Sequence, residues 1–207
     1  MDYEDSYNEG STPAVKSLLA INIAAFVAEL LRTDFMLTWF ALWPDFRGMF
    51  TPPFQPWQLV TYSFLHSPTD FFHIIFNMIG LWMFGQTLEL TLGTKRFLIY
   101  YFVCVLGAAL THMAFAHVVG SIYPVIGASG GIFGLLLAFG MLFPREKMYF
   151  MLIPIGIEAR YFVVFYGLVE LVTGVTGVIG GIAHFAHLGG MLFGIVMILY
   201  WRKKRYI

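Results

Sequence analysis

The chain has 207 residues, 12 Lys+Arg balanced by 12 Asp+Glu, and a composition that is 59% hydrophobic but only 12% charged. A soluble domain carries about 25% charged residues, so too few charges are present to cover a water-facing surface. Zero net charge without a basic stripe argues against nucleic-acid binding, the apolar content excludes disorder, and a polytopic membrane protein of one domain remains.

Residues 1–14 begin MDYEDSYNEGST, which is polar and acidic and lacks the basic start and apolar core of a signal peptide; they read as a flexible cytoplasmic tail. The first apolar segment is Val15–Leu31. Phe35–Trp57 follows, aromatic-rich with Pro44, Pro52, Pro53 and Pro56. It reads either as a structured loop in the outer interface or as a plain aromatic belt. The second segment, Phe71–Leu88, carries His73 and Asn77, four apart and so on one helical face. The third, Phe97–Val119, holds the single cysteine, Cys104, read as a small buried hydrophobe; one cysteine excludes a disulfide framework or a multi-cysteine metal site. The fourth, Ser129–Phe143, is short, so its first turn is expected below the membrane surface. Met148–Ile157, with Pro154 and Gly156, reads as an inner interfacial stretch. Ala159–Val175 and Gly181–Trp201 are the fifth and sixth segments, and 202–207 a basic cytoplasmic tail. A helix needs about 20 apolar residues to cross ~30 Å of hydrocarbon, where backbone must be bonded internally. The expectation is an all-α, six-helix membrane domain over residues 15–201, with no internal repeat.

Lys16, Lys95, Arg96, Arg145, Lys147, Arg160, Arg202, Lys203, Lys204 and Arg205 fall on one side of this topology, and Arg32 and Arg47 on the other. The positive-inside rule puts both termini in the cytoplasm. Spans two, four and six then open outside, and each opens with polar residues: His73 and Asn77, Ser129, and His184 and His187. Polar groups at membrane depth are costly and point to function. The orientation rests on Lys and Arg alone, so their shared depth is an independent coincidence.

Gly130 and Gly134, like Gly190 and Gly194, are four apart, a spacing that lets helices approach closely in lipid. With Gly127 they are the candidate helix-packing glycines. Packing spans four and six along them brings Ser129 toward His187, a nucleophile and a base. Amide hydrolysis also needs donors for an oxyanion. The Ser129 N–H at a helix N-terminus, the Asn77 amide and a His73 ring N–H are the candidates. Taken singly, each residue has a plainer reading. A helical serine bonds back to its own backbone, an intramembrane histidine serves as interhelix glue or proton relay, and transporters are also glycine-rich.

Together these residues resemble the rhomboid family of intramembrane serine proteases. Gly127-Ala128-Ser129-Gly130 looks like its G-x-S-G nucleophile motif, Ala186-His187-Leu188-Gly189-Gly190 with Gly194 like its A-H-x-G-G-x-x-x-G helix, and His73 to Asn77 like its H-x-x-x-N element. Glu89 with Gly93 resembles the end of the family's second helix. Trp57 resembles the tryptophan of a tryptophan–arginine pair, with Gln58 in place of the arginine. The resemblance spans about Trp57 to Gly194. It implies Ser129 as nucleophile and His187 as base, a dyad without a third carboxylate, with His73, Asn77 and the Ser129 N–H on the oxyanion. It also implies a six-helix bundle around a short fourth helix, lateral substrate entry at the fifth, and no metal or cofactor. Implied partners are the lipid bilayer and single-span transmembrane substrates, cut near the outer face at small residues. The short form looks like a prokaryotic member, hence an expected plasma-membrane location.

His184 lies on the His187 face and reads as a water-exposed residue at the helix mouth, or else as a group that supports the site residues or faces substrate. Glu29 and Glu170 fall near outer span ends, where snorkelling is expected. His66, His112 and His117 are assigned no role. A metalloprotease would need H-E-x-x-H and an aspartyl enzyme two intramembrane Asp residues, and neither is present. The rival readings are a non-catalytic rhomboid-like client-binding protein and a small transporter or channel.

Overall fold

The computed structural model describes residues 11–45, 48–49, 51–150, 153–177 and 184–207. Residues 1–10 of the expected tail, Arg47, and Gly181 to Ala183 at the head of the expected sixth span lie outside the described residues. Among the described residues the helices are α1 (Pro13–Leu31), α2 (Thr33–Phe40), α3 (Gln58–Thr61), α4 (Phe71–Leu92), α5 (Thr94–Val119), α6 (Ser129–Leu142), α7 (Ala159–Thr176) and α8 (His184–Lys203). α1, α4, α5, α7 and α8 are long and apolar enough to cross a membrane, and α6, at 14 residues, is the short one. The protein is an all-α, multi-pass membrane bundle.

α6 is central, packing on α4, α5, α7 and α8, and most of its residues are buried. Its glycines permit this. A Cβ on Gly190 would overlap the Gly130 carbonyl, one on Gly130 would overlap the Ala108 methyl, and one on Gly134 would overlap the Cys104 side chain and lie 3.2 Å from the Gly190 carbonyl. A Cβ on Gly194 would abut the Tyr100 hydroxyl and sit 3.3 Å from Cys104 Sγ. The Tyr100 hydroxyl donates to the Gly134 carbonyl at 2.8 Å, closing the gap left by the missing side chains.

The opening of α1 is capped from far along the chain. The buried Glu89 carboxylate accepts the Ala14 and Val15 N–H groups, each at 2.9 Å, and the Thr94 hydroxyl at 2.8 Å. Hydrogen bonds to a charged group contribute about 1.5–3 kcal/mol each, and an anion at a helix N-terminus also meets the favourable end of the dipole. Gly93, at φ +78°, turns the chain from α4 into α5. Those are the local reasons for the Glu89–Gly93 pair.

The structure corrects several expectations. Met148–Ile157 is not a plain interfacial stretch: Lys147–Phe150 (β1) and Ile153–Glu158 (β2) form an antiparallel pair. Phe35–Trp57 is structured, with α2 at its start and a two-hydrogen-bond bridge between Leu42 and Val125, each 3.1 Å. Gln58 keeps this segment together without a charge. Its Oε1 accepts the Trp43 N–H at 3.3 Å and the Gln55 N–H at 3.2 Å, and its Nε2 donates to the Trp39 carbonyl at 3.4 Å. Glu29 does not snorkel: it is fully buried, because its Oε2 accepts the His66 N–H at 2.8 Å. His66 is likewise fully buried.

Candidate active site

Ser129 is the first residue of α6, and the segment before it is tied down on both sides. The Leu42–Val125 bridge holds one side, and the Gly127 N–H donates to the Tyr62 carbonyl at 2.9 Å on the other. Tyr62 is itself fixed by its hydroxyl on the Val105 carbonyl at 2.8 Å. The intrahelical ladder of α6 begins with the Ile132 N–H on the Ala128 carbonyl at 3.0 Å, so the N–H groups of Ser129 to Gly131 precede it. Gly127, expected among the helix-packing glycines, lies outside α6 and serves another purpose. Its φ is +121°, and a Cβ there would lie 2.8 Å from His73 Nε2 and 3.7 Å from Ser129 Oγ. Only a hydrogen fits between those two groups in that backbone conformation.

His187 is held at three points. Its Nε2 lies 2.7 Å from Ser129 Oγ, and its ring stacks on Phe133 with centroids 4.2 Å apart and planes 6° from parallel. Its Nδ1 lies 2.9 Å from Glu170 Oε2. His184 Nδ1 reaches the same carboxylate oxygen at 2.8 Å. Glu170 therefore does not snorkel: at 6% exposure it is buried against α8. His184, expected to be exposed, is also 6% exposed for the same reason.

His73 and Asn77 stand across from this group. The Ser67 N–H donates to His73 Nδ1 at 3.3 Å, so the neutral ring carries its hydrogen on Nε2, the atom beside Gly127. Asn77 Nδ2 donates to the His73 carbonyl at 2.7 Å, which leaves one further N–H on its amide. His66 packs against His73 with ring centroids 5.0 Å apart, and burial together with the His73 ring pushes it down to about 3. A cleft of about 600 Å³ touches Ser129, His187, His73, Asn77 and Asp70. A second recess of about 240 Å³, half of whose lining residues are the aromatics Phe76, Phe84, Phe133, Phe162 and Tyr166, also reaches Ser129.

The structure thus brings Ser129, His187, His73 and Asn77 to one cleft, and it adds Phe133 and Glu170, which sequence reasoning missed. Phe133 was findable, since it lies four residues after Ser129 on the same face of α6. Among the described residues, one group has the side chains to hold a metal: Glu170, His184 and His187, with ligand atoms within 4.8 Å of one another. Both imidazole Nδ1 atoms in it already bond to the carboxylate.

A match to the Rhomboid domain family covers residues 53–204. The chain is 32% identical over 152 residues to presenilin-associated rhomboid-like protein A, mitochondrial, of Danio rerio, covering 70% of this chain and 39% of that protein. It is 28% identical over 145 residues to rhomboid protein 1, mitochondrial, of Saccharomyces cerevisiae, covering 68% of this chain and 40% of that one. It is 29% identical over 98 residues to rhomboid protease GlpG of Yersinia pestis, covering 47% and 33%. The chain spans about two fifths of the length of the first two of these relatives.

Proposed function

The chain belongs to the rhomboid family, and from that premise we propose that it is an intramembrane serine endopeptidase. The observation that carries this reading is the 2.7 Å contact between Ser129 Oγ and His187 Nε2 at the cleft. Ser129 Oγ attacks the scissile carbonyl carbon while His187 Nε2 takes its proton. The N–H at the start of α6, the His73 Nε2–H and the second Asn77 N–H face the developing oxyanion. The imidazolium then gives its proton to the leaving amine as the C–N bond breaks, and a water activated by the same nitrogen hydrolyses the acyl-enzyme. Phe133 keeps the ring in plane throughout.

Substrates are transmembrane helices, in particular single-span proteins cut near the outer face. The aromatic recess beside Ser129, which runs between α4 and α7, supports an apolar segment entering from lipid. Both termini face the cytoplasm, on the strength of the Lys and Arg distribution. On the expected prokaryotic plasma membrane the relatives point both ways, two being mitochondrial by name and another coming from Yersinia pestis.

The test is cleavage of a single-span substrate by purified protein in detergent, beside Ser129→Ala and His187→Ala. Each variant is expected to lose at least ~10³-fold in rate. A fluorophosphonate probe is expected to label wild type and not Ser129→Ala. Cleavage that survives Ser129→Ala overturns the mechanism. A wild type that neither cleaves nor takes up the probe favours the client-binding reading instead.

A further inference from the structure

α7 is the least buried of the long helices, and its buried residues are Ala159, Val163 and Glu170. A carboxylate at membrane depth is expensive unless paired, so the burial of Glu170 needs a reason. That reason lies on α8, where both imidazoles reach one carboxylate oxygen.

The hydrogen positions follow from the neighbours. The Thr173 hydroxyl donates to the Val169 carbonyl at 2.7 Å, so toward His184 Nδ1, 3.1 Å away, it accepts. His184 therefore carries its hydrogen on Nδ1 and shares it between Thr173 Oγ1 and Glu170 Oε2. His187 must accept the Ser129 hydroxyl proton at Nε2, so a neutral ring carries its hydrogen on Nδ1, aimed at Glu170. A carboxylate is acceptor-only, and every group facing this oxygen is a donor.

We propose that Glu170 is a positioning residue for His187: from α7 it fixes the Nδ1–H form of the base and stabilises the imidazolium that forms as Ser129 attacks, with His184 holding the same oxygen in place. This deepens the serine-protease reading and rests on it. The family resemblance implies a dyad; this chain supplies a third member from a different helix. The base and its orienting carboxylate sit on separate helices, so the reactive form of His187 requires α7 to stand against α8.

Glu170→Gln keeps the shape and removes the charge. With melting temperature monitored in detergent, kcat is expected to fall by about 10²–10⁴-fold while KM stays within about threefold. The rate of fluorophosphonate labelling at Ser129 falls in parallel. A merely structural role would lower the melting temperature and the fraction of protein that labels, while the labelling rate constant of the folded remainder stays at the wild-type value, and unchanged kcat in a folded variant overturns the proposal. Should the variant not fold, the wild type decides. Its ¹⁵N-histidine NMR spectrum, with His187 assigned by loss of its signals in His187→Gln, is expected to show hydrogen on Nδ1 and none on Nε2; the reverse form overturns the proposal. Cleavage unaffected by EDTA is expected, and chelator-sensitive cleavage overturns the proposal by making the cluster a metal centre. Failure of the parent reading looks different, since there wild type itself neither cleaves nor labels.

Discussion

Replacing Gly190 with alanine tests whether the approach of α6 to α8 sets the reactive distance. The new methyl would overlap the Gly130 carbonyl, a backbone group that cannot rotate away. Relief requires the two helices to separate by roughly an ångström or more. Ser129 opens α6 and His187 lies one turn before Gly190 on α8, so the separation passes directly to the 2.7 Å Ser129–His187 contact. An opening of that size takes it to about 3.7 Å, past the ~3.2 Å limit for direct proton transfer. A misplacement on this scale is worth about 10²-fold in rate, and the overpacking should cost about 1–3 kcal/mol of stability. The assay is the initial rate of substrate cleavage in detergent, with thermal melting on the same samples. Gly167→Ala is the control, because its methyl would meet only the flexible Met191 side chain at 3.4 Å, and it should leave the rate unchanged. A Gly190→Ala protein with a cleavage rate within threefold of wild type would refute the reasoning.

Two further predictions follow from packing and burial. Gly130→Ala collides with the Ala108 methyl, while its next neighbours, the Tyr62 hydroxyl and the Ala186 carbonyl, stand at 3.4 and 3.8 Å. Gly130→Ala is therefore expected to lose at least ~10-fold in cleavage, and the double variant with Ala108→Gly, which only moves the methyl across the interface, should recover most of it; a double variant no better than the single would show the clash is not the cause. His66, pushed down to about 3 by burial and by His73, binds no proton in the folded state at pH values where the unfolded chain does. Above about pH 6.5 neither state is protonated and nothing is lost; as pH falls from there toward 3, His66 removes stability at up to about 1.36 kcal/mol per pH unit. Between pH 6.5 and 4, wild type should lose about 3 kcal/mol more than His66→Phe, and parallel melting curves for the two proteins would count against this account.

Ser129 and His187 were legible as a pair because they announce themselves locally: each lies in the first turn of its helix, beside a glycine pair. Glu89 and Gly93 were legible as a pair but not in purpose, since the groups they serve lie at the start of α1. Glu170 was misread because distance from a span end says nothing about rotation about the helix axis. The missing signal was in the sequence. Gly167 and Gly174 flank Glu170, and in the structure Gly167 faces Met191 while Gly174 faces His184, so the small residues marked the α8-facing side. Gln58 stands where the resemblance expects an arginine, and its one amide both accepts and donates, bonding three backbone groups that an arginine, a pure donor, would satisfy differently. The β1–β2 pair escaped notice because a short apolar run does not by itself distinguish a strand from other apolar structure.

The capping of α1 carries a consequence for the order in which the protein is built. Glu89 is synthesised 75 residues after Ala14, whose N–H it accepts, and His66 37 residues after Glu29. When α1 leaves the ribosome, both its first turn and its buried acid lack the partners they have in the finished bundle. Water must serve them in the interval, so α1 cannot lose its solvent contacts at either end until α4 and the segment before it have been made. Arrival of α4 then supplies the cap at one end and fixes the His66 segment at the other. α1 is thus completed by α4 rather than before it, and the two enter their final places as a pair.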